Sequence, residues 1–141
     1  MGANTMRRFL AVALSALTIT ALGAGPARAA ATAEVEVFWT LLVARGAAVD
    51  VSYGVTCPAG FTGTTTVTIT QVRDDGLLAG GTTAEELTCD GTGFLEMSRV
   101  TASVLGAPFE RGRAKLSMLL SGCDAQACFS APINQNTRLQ N

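Results

Sequence analysis

No histidine occurs anywhere in the 141 residues. That absence removes Ser-His-Asp and Cys-His catalysis, and with them any imidazole metal site. Lysine is nearly missing too: Lys115 stands alone. A Ser-Lys pair is the one nucleophilic arrangement left, with Lys115 and Ser117 on one strand face, and that spacing reads as an ordinary exposed face. Aromatic residues are sparse, at one Trp, one Tyr and six Phe. A glycosidase would need two acids facing each other across a cleft. Nothing in the sequence places Glu85, Glu86 and Glu96 that way. No phosphate loop, repeat or low-complexity segment is present, and neither Asn4 nor residues 134–137 form an Asn-x-Ser/Thr acceptor. The chain is therefore expected not to be an enzyme, with no catalytic residue, no cofactor and no metal ligand assigned.

Positive charge is also scarce where the fold is expected. From residue 30 onward there are seven basic residues against eleven acidic ones, a net charge of −4. Without a basic stripe to neutralise phosphates, nucleic acid is excluded as an expected partner. The single basic cluster, Arg111-x-Arg113-x-Lys115, flanks a predicted turn. It reads as a solvated face, with a partner contact as the alternative.

Residues 1–29 have the layout of an export signal. Arg7 and Arg8 are followed by the apolar run FLAVALSALTITAL and by Ala27-Arg28-Ala29, a small-x-small cleavage site. The cut is expected after Ala29, and either Met1 or Met6 can be the start. The apolar run is short for a membrane span. The twin-arginine pattern lacks its spacing residue before Phe9, which favours the Sec route. No cysteine follows the apolar run to carry a lipid. The expectation is a secreted domain over residues 30–141, free of the membrane after cleavage and monomeric.

What fills that domain is β-strand patterning. The stretch AVDVSYGVTC, residues 48–57, places Val49, Val51, Tyr53, Val55 and Cys57 on one face, with Asp50, Ser52, Gly54 and Thr56 on the other. A period of two marks a half-buried strand. Residues 33–43 alternate similarly, with Val35, Val37, Trp39 and Leu41 on one face and Glu34, Glu36, Phe38, Thr40 and Leu42 on the other. The second half is apolar on both faces, which reads as a strand that crosses between two sheets or is covered by a loop; the alternative is that Phe38 and Leu42, on one face, form part of an exposed partner-binding patch. Residues 64–73 read as a strand with Val67 and Ile69 inward and a threonine face outward. Asp74-Asp75-Gly76 is a turn signal; two adjacent carboxylates fall short of the spaced oxygens calcium needs. A short strand over residues 77–79 is expected to break at Gly80-Gly81. Residues 85–89 then lead into the second cysteine.

Residues 94–104 have an unclear phase, because Leu95 and Met97 suggest one inward set while Val100, Ala102 and Val104 suggest the other. A bulge near Ser98-Arg99 would reconcile them. Phe109 is expected to plug one end of the sandwich, with Gly112 turning the chain back. Ala114, Leu116, Met118 and Leu120 face inward on the next strand. Pro132 suits an edge position in the last strand, residues 129–133. Residues 134–141 read as a polar tail, frayed at the end.

Four cysteines allow three pairings. Cys123 and Cys128 suit a tight corner, which leaves Cys57 with Cys89, each just ahead of a turn. A four-cysteine zinc site usually needs two close pairs; only one is present, and an exported chain meets an oxidising compartment.

About seven short strands with regular turn signals predict an all-β, Ig-like Greek-key sandwich with two disulfides; a barrel is the alternative. The pattern VTCPAG…TVTITQ…LTCDG…PFERGRA…GC-x4-C resembles the small secreted Ig-like proteins of actinobacteria. The Cys123–Cys128 corner is also similar to that of the neocarzinostatin-type apoproteins, which are exported acidic Ig-like domains with two disulfides. The other bridge departs, since that family closes a short loop where Cys57 and Cys89 lie far apart. The first family carries no agreed activity, and the leading expectation for this chain is a secreted non-enzymatic interaction or structural module, with an unknown protein or small molecule as partner. The second implies small-molecule, enediyne-type binding as the alternative.

Overall fold

A computed structural model describes residues 30–141. The export signal, its cut after Ala29 and the choice of start lie outside the described residues. Seven strands follow in chain order. They are β1 (Glu34–Val43), β2 (Ala48–Thr56), β3 (Thr62–Val72), β4 (Leu78–Thr88), β5 (Gly93–Thr101), β6 (Gly112–Cys123) and β7 (Cys128–Leu139). All pairings between them are antiparallel. One sheet has the order β1-β2-β5 and the other β4-β3-β6-β7. The chain changes sheet after β2, β4 and β5, which is the Greek-key, Ig-like arrangement.

Alternation decides which side of each strand is buried. Val49, Val51, Tyr53 and Val55 project from β2 toward Val67 and Ile69 of β3 and Leu116, Met118 and Leu120 of β6, all essentially inaccessible to water. Each such side chain contributes about 1.5–3 kcal/mol by burial. Polar groups on this inner face are satisfied. The Tyr53 hydroxyl and Ser98 Oγ lie 2.9 Å apart in a hydrogen bond. The expected plug is also in place: Phe109 is buried, and its N–H donates to the Gly46 carbonyl at 2.8 Å.

Three strands depart from their predicted patterns. In β1 the register slips between Val37 and Trp39, so Phe38 is an extra, bulged residue. Beyond it the faces exchange: Thr40 and Leu42 turn inward while Trp39 and Leu41 turn out. Phe38 and Leu42 therefore do not share an exposed face. In β4 Gly80-Gly81 does not end the strand. Gly81 faces inward, where a Cβ would sit 2.1 Å from the Thr101 carbonyl oxygen. The missing side chain lets β4 approach β5 and close one side of the sandwich. In β5 no bulge occurs, and pairing with β2 is continuous from Thr101 to Gly93. Ser98 and Val100 are inward, and Leu95 and Met97 are outward.

The polar tail is also ordered. β6 offers a partner along its full length, so β7 continues to Leu139, which is buried opposite Gly112. The Leu42 N–H donates to the Gln140 carbonyl at 2.7 Å, bringing the chain end against β1.

Both disulfides form as expected. Cys57–Cys89 joins the ends of β2 and β4, and so links the two sheets, across 32 residues of sequence. Cys123–Cys128 closes the β6–β7 corner across five. Loop-closure entropy makes the long bridge worth about 3–4 kcal/mol and the short one about 2. Urea unfolding should show that order: Cys57→Ser with Cys89→Ser loses more stability than Cys123→Ser with Cys128→Ser. Equal losses would contradict the assignment of the long bridge as the main staple.

Candidate functional site

A depression of about 920 Å³ lies on the outer face of the four-stranded sheet. Its walls follow from strand order. Val72 of β3 and Leu78 of β4 are cross-strand partners and point outward at one side. Arg113 and Lys115, two apart on β6, point outward at the other. Between them lie Thr70 and Gly80, also cross-strand partners, and Gly80 leaves the floor free of a side chain there. Asn136 sits beside Lys115 on β7.

Residues 102–111 form the overhang. Backbone bonds from Ser103 N–H to the Gly80 carbonyl (2.7 Å) and from Ala107 N–H to the Leu78 carbonyl (3.0 Å) hold this loop against β4. The loop presents Leu105, 97% exposed, to the groove. Its far end is clamped by two side chains of β3 and the turn after it. The buried Gln71 amide accepts from the Glu110 N–H at 2.9 Å and donates to the Glu110 carbonyl at 2.9 Å. Arg73 donates to the Pro108 carbonyl at 2.9 Å and to Asp75 at 2.8 Å, with Glu110 Oε2 3.4 Å from its Nε. Hydrogen bonds and charge thus set the groove wall.

The outer face of the three-stranded sheet carries a second feature. Leu95 (75% exposed), Met97 (57%), Phe38 (49%) and Trp39 (46%) lie together over small residues of β2. The Phe38 ring lies over Gly54, where a Cβ would come within 3.1 Å of it. Farther along, the buried Asp50 accepts two hydrogen bonds from Arg99, at 2.7 and 2.8 Å. The Arg99 guanidinium holds the Asp50 carboxyl below its ordinary range, against the opposing effect of burial.

Other residues singled out in the sequence come together less. The Ser117 hydroxyl donates to Asn134 Oδ1 at 2.8 Å. Glu85, Glu86 and Glu96 do not line the groove. Burial raises the Tyr53 phenol's pKa, with Ser98 as its hydrogen-bond partner. Among the described residues no group of three or more His, Cys, Asp or Glu could hold a metal ion. Likewise no described helix is long and apolar enough to cross a membrane. The groove itself was missed in the sequence. Its one visible trace was the alternating Arg111-x-Arg113-x-Lys115 run, two members of which line it.

No family model and no curated protein matches the chain. Among solved structures it is similar to the alkylpurine DNA glycosylase AlkC of Pseudomonas fluorescens bound to DNA containing an abasic site analog. The identity is 12% and the TM-score 0.35, over 77% of this chain and 31% of that one. A likeness of that size carries no argument about fold or function.

Two outcomes test this geometry. Gln71→Ala should cost about 1–3 kcal/mol by leaving Glu110 backbone groups unpaired, and should speed amide exchange at Glu110; unchanged exchange would contradict the clamp. Asp50 is ionised more readily in the folded protein than in the unfolded chain. Its contribution is therefore full above its ordinary pKa of 3.8 and is lost as pH falls through its lower folded value. Asp50→Asn should flatten that acid limb in a pH series of thermal melts.

Proposed function

We propose that this chain is an exported, non-enzymatic β-sandwich module that binds a small molecule outside the cell. The groove on the four-stranded sheet is the observation that supports this most directly. Its volume of about 920 Å³ falls within the ~300–1,000 Å³ usual for small-molecule sites. It combines an aliphatic wall with a few polar groups, the usual composition of such sites. The resemblance of the Cys123–Cys128 corner to the neocarzinostatin-type apoproteins points the same way. Enediyne-type binding is the narrower form of it.

Export is supported by the arrangement of residues 1–29 and by two disulfides, which suit an oxidising compartment. A Sec signal cut after Ala29 is part of the proposal. So are a monomeric state and the absence of nucleic acid among the partners.

A second reading has its own support. Four large apolar side chains, Phe38, Trp39, Leu95 and Met97, share one exposed sheet face. Grouped exposed apolar residues mark protein interaction sites more often than scattered ones do. On this reading the module docks a protein through that face. Leu42, packed against the core, takes no part.

Native mass spectrometry of protein secreted by its own host separates the readings. The expected result is a monomer beginning at Ala30 with a small organic molecule bound. Recovery only as a complex with another protein, free of any small ligand, would overturn the first reading in favour of the second.

A further inference from the structure

We infer that the groove is built for an amphipathic anion: an apolar body carrying a carboxylate, sulfonate or similar group at one end. The inference rests on reading the groove as a ligand site, and it names the ligand's chemistry.

Charge carries the argument. The domain is acidic, yet no Asp or Glu lines the groove, while Arg113 and Lys115 both do. Neither cation forms a salt bridge among the described residues. Arg138, the β7 partner of Arg113, does not line this groove, so Arg113 and Lys115 are its two cations. Both project from β6 to the same side because side chains two apart share a sheet face.

Position carries the rest. The aliphatic groups Val72, Leu78 and Leu105 sit on the β3–β4 side and its overhanging loop. A ligand lying across the sheet thus meets apolar surface at one end and two cations at the other. A neutral or cationic ligand of that length would cover Arg113 and Lys115 without compensating them. Removing charge from water without a partner is costly. An anion offsets that cost by charge-assisted hydrogen bonds, to which Arg brings a planar fork of donors. A small hydrophilic anion would forgo the apolar wall. The combination of both selects the amphiphile.

Two fluorescent probes differing mainly in charge test this. One is 1-anilinonaphthalene-8-sulfonate, an anion; the other is N-phenyl-1-naphthylamine, which is neutral. Both are titrated into the mature protein, into Arg113→Gln with Lys115→Gln, and into Gly80→Leu. The first two substitutions fall on exposed side chains, and a Cβ at Gly80 meets nothing nearer than 3.5 Å. Thermal melts check that each variant is folded.

The sulfonate should bind about tenfold tighter than the neutral probe, weakening as salt is added. The double variant should lose about that factor for the sulfonate alone, and Gly80→Leu should weaken both probes by filling the floor. Equal affinity for the two probes, or a double variant that binds the sulfonate unchanged, overturns the anionic class. If Gly80→Leu still weakens both probes, the groove reading stands. No binding of either probe, or binding indifferent to Gly80→Leu, overturns the groove reading and this inference with it.

Discussion

The inner face shared by β2, β3, β5 and β6 is the constraint from which the rest of the molecule follows. Val49, Val51, Val67, Ile69, Val100, Leu116 and Leu120 are fully shielded from water. Their strands alternate with period two, so burying one face commits the other to the surface. The buried hydroxyls of Tyr53 and Ser98 fit that face because they bond each other. The Cys57–Cys89 bridge ties the two layers where β2 and β4 end. Both sides of the sandwich are closed by short contacts: β4 against β5 through Gly81, and β1 against the chain end through Gln140.

That commitment leaves two outer faces, and they differ in kind. The three-stranded face is apolar at Phe38, Trp39, Leu95 and Met97, and turns ionic at Asp50 and Arg99. The four-stranded face carries a threonine row along β3 and is concave at one end. There residues 102–111 cross from one sheet to the other and lie along β4. Gln71 and Arg73 fasten this crossing, so the wall of the groove is a by-product of the Greek-key connection. The same connection that sets the topology creates the site.

Much of the fold was legible from residues alone. Clean alternation in β2, β3 and β6 gave their faces correctly, and the cysteine spacing gave both bridges. The failures have physical causes. Sequence apolarity cannot reveal a bulge when both faces are apolar, as at Phe38, so Trp39 and Leu42 exchanged sides. Gly80-Gly81 looked like a break because glycine is poor in strands. Its reason, close approach of β4 to Thr101, is a tertiary fact. Leu95 and Met97 looked like core, since outward apolar residues and an inward Ser98 invert the usual pattern. The polar end of β7 looked frayed because its partner strand and the buried Leu139 were not visible as a pair. The groove assembles side chains from strands and a loop distant in sequence, and only its basic run left a local mark.

The most direct measurement of the account is the pattern of cross-strand NOEs in the mature protein. The Greek-key assignment predicts contacts between Val51 and Ser98, joining β2 to β5, and between Val67 and Met118, joining β3 to β6. It predicts no ladder between β2 and β3, which are neighbours in sequence but belong to opposite sheets. A continuous ladder between β2 and β3 would contradict the sandwich, and the groove and both outer faces would go with it.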